Sequence, residues 1–233
     1  MTKKIYWIDD DISDMMNLIK NFFPVLWKKN YNSQIFFAGN NYREADYSLR
    51  DEITLEELNN TTSKVFEIFC ASQVDKNNEH SNNPKKVREK LNNMGINVYP
   101  SEDIEKDGDK IVDELEKNIV EKLKDGFYIG IDIQLLNTDK NQLANIENNK
   151  ETLAMKLFNS LSMEEEKNRT IFLYTSFYTP NLQEKWEKAF KNFHSTYDKK
   201  IKIFSRRKLI DSDDDNKEEQ NTLLKLLDSE GNI

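Results

Sequence analysis

Lys4-Ile5-Tyr6-Trp7-Ile8-Asp9-Asp10-Asp11 is the stretch that decides the fold. A short apolar run closed abruptly by three carboxylates reads as a strand buried on both faces, the habit of a parallel sheet. A helix follows it. Met15, Ile19, Phe22 and Phe23 recur at helical spacing, Ser13 or Asp14 can cap, and Pro24 reads as a stop. Gln34–Ala38 is a second strand, closed by Gly39-Asn40. The last third repeats this alternation. Phe127–Ile133, Thr170–Tyr174 and Ile201–Phe204 read as strands. Between them, Leu153, Leu157, Phe158 and Leu161 mark one helix, and Leu182, Trp186, Ala189, Phe190 and Phe193 mark another. An acidic loop at Asp211–Glu219 leads to a terminal helix carrying Leu223, Leu224, Leu226 and Leu227. Strands alternating with helices predict a doubly wound α/β domain, with a mainly parallel sheet covered on both faces.

The middle of the chain adds to this plan. Leu55–Asn59 reads as a short helix, Lys64–Ala71 as a strand and Asp75–Asn83 as a polar loop. Pro84 opens a helix to Met94 with Gly95 as its C-cap, and Ile96–Tyr99 is another strand. Asp109 caps a helix lined by Ile111, Leu115, Ile119 and Leu123, which Gly126 ends. The chemistry-bearing strands come from both ends of the chain. The reading is therefore one domain over residues 1–233, with an inserted α/β segment at about 40–110.

Composition narrows the class. The 233 residues are 37% hydrophobic and 33% charged, with 13 Phe, 9 Tyr and 3 Trp, so the apolar content is concentrated in large rings, which argues against a disordered chain. A net charge of −8 with no sustained basic stretch argues against nucleic acid or an anionic membrane as partner. No apolar run approaches the ~18 residues that a bilayer crossing needs. Met1–Lys4 leads straight into the first strand and not into a signal sequence. One cysteine and two histidines leave no disulfide framework, no cysteine zinc site and little room for a histidine metal site or triad. The expected location is cytoplasmic. Cys70 reads as core, and His80 and His194 as surface residues.

In an open parallel sheet, ligands bind outside the carboxyl ends of the strands. Those ends carry Asp9, Asp10 and Asp11, then Asp132, then Thr175 and Ser176, then Ser205, Arg206, Arg207 and Lys208. Brought together, these are carboxylates, hydroxyls and a cation around one pocket. Clustered carboxylates repel unless a cation joins them, and Mg²⁺ prefers such oxygen ligands. An aspartate beside it can act as a nucleophile toward phosphorus, with a hydroxyl and a fixed cation on the transferred oxygens.

This order resembles the receiver domain of two-component response regulators. Ile5–Asp11 is similar to that family's opening, Gly130-Ile131-Asp132-Ile133 to its acceptor strand, and Phe172–Ser176 to its fourth strand. The resemblance implies a flavodoxin-like three-layer α/β/α fold. It also implies a signalling module, more switch than enzyme, that a histidine kinase or an effector protein engages. On the match, Asp9 and Asp10 hold Mg²⁺ together with Asp132 and the Gln134 carbonyl. Asp132 accepts the phosphoryl group, and Thr175 binds a phosphoryl oxygen. The family's Lys-Pro pair is replaced by Ser205–Lys208, where Arg206 is favoured for the lysine position and Lys208 is the alternative. Arginine keeps the charge but not the geometry. Leu135–Thr138 stands where a loop with Pro and Gly is usual. With one acidic loop and one helix after Ile210, a stand-alone module is expected, without a DNA-binding output domain.

Two other readings follow from the same residues. One is a receiver-like module that no longer accepts phosphate and acts by protein contacts. The other is a haloacid dehalogenase-like Mg²⁺-dependent phosphohydrolase, because Asp9-x-Asp11-x-Ser13 looks like that family's Asp-x-Asp-x-Thr. Thr175 and Asp211–Asp215 would then be later motifs, and residues 40–126 a cap.

Overall fold

The computed structural model describes residues 3–9, 17–18, 21–39, 66–70, 97–99, 108–123, 126–135, 151–163, 169–176, 178–195, 201–210 and 217–229. Seven strands form one sheet, β1 (Lys3–Asp9), β2 (Tyr31–Gly39), β3 (Phe66–Cys70), β4 (Asn97–Tyr99), β5 (Tyr128–Asp132), β6 (Thr170–Thr175) and β7 (Ile203–Ser205). Their spatial order is β4-β3-β2-β1-β5-β6-β7, and every pairing is parallel. The helices are α1 (Phe23–Lys28), α2 (Gly108–Leu123), α3 (Leu153–Ser162), α4 (Leu182–Phe193), α5 (Arg206–Ile210) and α6 (Lys217–Ser229). The doubly wound α/β class is thus observed.

The inserted segment extends this sheet. β3 and β4 continue it beyond β2, on the flank away from β5–β7. Without them the order is that of a five-stranded doubly wound sheet, whose chain reverses direction across the sheet between β1 and β5. The crevice for a ligand lies at that reversal. The predicted helices at 55–59 and 84–94 and the loop at 75–83 lie outside the described residues, as does the side chain of Cys70.

Side chains alternate along each strand, so parallel partners share a face. On one face, Ile8, Ile129, Ile131 and Leu173 join Leu115, Ile119 and Leu123 of α2, Leu157, Phe158 and Leu161 of α3, and Trp186 and Phe190 of α4. On the other, Trp7 is fully buried against the rings of Phe22 and Phe23, and also touches Phe172 and Tyr174 of β6. β5 lies between β1 and β6, so Trp7 and Phe172 can meet only over a residue with no side chain. That residue is Gly130, where a Cβ would stand 2.7 Å from Phe172 ring carbons and 3.2 Å from Trp7 Cε3. The indole N–H of Trp7 donates to Ser33 Oγ at 3.2 Å.

Three local expectations are corrected. Pro24 does not simply stop a helix. The break falls at Phe22, and Pro24 sits in the first turn of α1, where a missing N–H costs nothing. Residues 206–210 form a helix and 217–219 belong to α6, so the acidic loop is shorter than Asp211–Glu219. His194 is no free surface residue. Its Nε2 lies 2.7 Å from Glu151 Oε1, its ring packs 4.6 Å from that of Phe190, and its side chain is 17% exposed.

Candidate functional site

Register builds the site. Ile8 pairs with Ile131 and Asp132 with Tyr174, so Asp9, Asp132 and Tyr174 form one row across β1, β5 and β6 at their carboxyl ends. Asp9 and Asp132 are both fully buried. Burying two carboxylates side by side is very costly unless a cation and donors meet them.

Arg206 supplies that cation from the first residue of α5. Its side chain is 4% exposed. NH1 donates to Asp9 Oδ2 at 2.7 Å and lies 3.8 Å from Asp132 Oδ2. The other edge of the fork goes to Ser176, whose Oγ accepts from Nε at 2.8 Å and also from NH2. Lys208, two residues further round the helix, is exposed. Arg206, not Lys208, therefore stands at the carboxylates. The planar guanidinium holds Asp9 through one nitrogen and Ser176 through the other two, a fixed fork that a lysine's single ammonium does not reproduce.

The remaining contacts fix the carboxylates. Asp132 Oδ1 accepts from the Gln134 backbone N–H at 3.2 Å, an Asx-type turn over residues 132–134. Thr175, fully buried, donates its hydroxyl to Gln134 Oε1 at 3.0 Å. Asp9, Asp132, Thr175, Ser176 and Arg206 of the strand-end reading are thus brought together, and Gln134 joins them through its backbone N–H and its side chain. Asp10, Asp11 and Asp213–Asp215 lie outside the described residues.

Tyr174 is the site residue that sequence reading missed. It looked like one more apolar strand position. Its hydroxyl donates to Asp9 Oδ2 at 3.0 Å and stands 2.9 Å from the Ile8 carbonyl oxygen. The signal was available, since a buried tyrosine needs a partner for its polar tip and the alternation places it level with Asp132. Burial, then the negative charges of Asp9 and Asp132, push its pKa well above the usual phenol value, with Arg206 opposing. At the other end of the sheet, burial and then Asp228 push Tyr31 up likewise, its hydroxyl donating to Asp228 Oδ1 at 2.8 Å.

These two shifts predict alkaline behaviour. Unfolded tyrosines ionise near pH ~10. Above that pH the unfolded chain releases protons that folded Tyr31 and Tyr174 retain, so stability is full below pH ~10 and falls as pH rises past it. In an ultraviolet titration of the folded protein, at least two of the nine tyrosines are expected to stay un-ionised until the chain unfolds. All nine titrating reversibly near the ordinary value would contradict this.

Among the described residues, no group of three or more His, Cys, Asp or Glu side chains gathers as metal ligands would. The pair Asp9 and Asp132 nevertheless fits Mg²⁺ in kind, since that ion takes one or two carboxylates from a protein and fills its shell with water or phosphate. No helix among the described residues is long and apolar enough to cross a membrane.

No family model, curated protein or solved structure matches this chain.

Proposed function

We propose that this chain is a receiver-like signalling module whose switch is Asp132. The observation that supports it is the meeting of Asp9, Asp132, Thr175 and Arg206 at the ends of β1, β5, β6 and β7, beside the point where the winding reverses. The haloacid dehalogenase-like reading gives Asp132 no part, whereas Asp132 here shares a guanidinium with Asp9.

In this reading an Asp132 carboxylate oxygen attacks the phosphorus of a phosphodonor, either a phosphohistidine on a kinase or a small acyl phosphate. The new O–P bond forms as the bond to the donor breaks, and the electron pair leaves with the donor. Asp9, Asp10, Asp132 and the Gln134 carbonyl would hold Mg²⁺, which when bound neutralises phosphoryl charge. Thr175 turns its hydroxyl from Gln134 to a phosphoryl oxygen, and Arg206 NH1 faces the same oxygens. The consequence is a changed set of contacts with a protein partner, a histidine kinase or an effector. A cytoplasmic setting belongs to the same proposal.

A second reading is favoured by the burial of Asp132 and its sharing of Arg206 with Asp9. A fixed internal cation already neutralises the carboxylates, as suits a module that works by protein contacts without phosphate. One experiment separates the two. Acetyl phosphate with Mg²⁺ is expected to add the mass of one phosphoryl group to the wild type and nothing to Asp132→Asn. No gain in the wild type supports the second reading and removes the first.

A further inference from the structure

We propose that Glu219 and Gln220, at the start of α6, are positioning residues for Arg206. In this proposal the seating of α6 and the contact of Arg206 with Asp9 and Asp132 form one coupled equilibrium. The proposal deepens the reading above by naming how the site is regulated, and its biological meaning rests on that reading. The coupling itself does not.

α5 has five residues. A helix that short cannot repay its own nucleation, so its place is set by whatever satisfies its ends. Both ends are held by neighbouring residues of α6. The backbone N–H of Ser205, next to Arg206, donates to Glu219 Oε1 at 2.8 Å. The Leu209 carbonyl accepts from Gln220 Nε2 at 2.8 Å. Ser205 Oγ closes the first turn by accepting from the Lys208 N–H at 3.4 Å.

α6 is itself fixed along its length. Leu223, Leu224 and Leu227 are buried. Near its far end, Asp228 accepts from Tyr31 at the opening of β2. The helix is therefore a brace running from the carboxyl ends of the strands, where the site lies, to their opposite ends. A partner that shifts α6 pulls on Ser205 and Leu209 together, and the guanidinium moves with α5. By linkage, a change at Asp9 or Asp132 that moves Arg206 alters the seating of α6 by the same free energy.

The test is nuclear magnetic resonance on the whole chain, read at the Arg206 Nε–H, which is donated to Ser176, and at the Ser205 amide. Glu219→Ala is expected to shift the Arg206 Nε–H signal and speed its exchange with solvent by roughly 5- to 150-fold, the span of ordinary couplings. Glu219→Gln keeps an oxygen acceptor and is expected to stay near wild type. Gln220→Ala should move Arg206 in the same direction, which keeps the test alive if Glu219→Ala folds poorly. Reciprocally, Asp9→Asn should speed exchange of the Ser205 amide. An unchanged Arg206 signal in both Glu219→Ala and Gln220→Ala overturns the proposal. So does Glu219→Gln behaving as Glu219→Ala does. Neither readout involves phosphate, so a chain that refuses a phosphoryl group and still shows the coupling overturns only the functional reading.

Discussion

Arg206→Met is expected to cost about 3–5 kcal/mol of folding stability, the usual penalty for removing one partner of a buried ion pair. The side chain lost is 4% exposed, and the carboxylates left behind are fully buried on adjacent strands. The deficit should depend on pH in a definite direction. With the guanidinium gone, each carboxylate raises the other's pKa, and burial adds to the rise. In the variant the folded pair then holds a proton that the unfolded chain gives up. The loss is therefore greatest at neutral pH and shrinks as pH falls through the raised value. Pairing Arg206→Met with Asp9→Asn removes one of the two charges and should recover part of the loss at neutral pH. Arg206→Lys keeps the charge but gives up the fork on Ser176, so it should fall between. Urea unfolding at neutral and mildly acidic pH measures all of this. A stability of Arg206→Met within about 1 kcal/mol of the wild type across that range would show that the ion pair contributes no such stability.

Trp7→Ala should be of similar size, about 3–5 kcal/mol, for a different reason. The indole is fully buried and touches four aromatic rings, those of Phe22, Phe23, Phe172 and Tyr174. Gly130, on the strand between Trp7 and Phe172, has no side chain with which to fill the space. The effect should also reach the site. Tyr174 is wedged between Trp7 and Asp9, at 5.4 Å from the indole by ring centroids and 3.0 Å from Asp9 Oδ2 by its hydroxyl. Trp7→Phe refills part of the volume and should cost much less. Equal losses for the two substitutions would argue that packing at Trp7 is not what holds this face.

Much of this was legible in the sequence because strand ends announce themselves. An apolar run stopped by a carboxylate or hydroxyl marks both the strand and its chemistry, which is how Asp9, Asp132 and Thr175 could be placed from the order of residues alone. Residue order favoured Arg206 but left Lys208 as the alternative, and geometry decides between them. The choice turns on the chain entering a helix at residue 206, so that two residues make more than half a turn and send Lys208 to solvent. Glu219 stayed hidden for a related reason. In a run of acidic residues nothing distinguishes the one that meets a backbone N–H. Pro24 was misread because a proline that cannot continue one helix is well suited to begin the next.

The closing contacts of the fold also bear on how it is made. Arg206 meets Asp9, and Asp228 meets Tyr31, each across 197 residues of chain. Contacts so far apart in sequence are slow to find and are closed late. During synthesis Asp9 leaves the ribosome long before its cation exists, so the emerging chain carries two carboxylates that cannot yet be buried together. The pocket is completed only when the last strand and the helices after it arrive.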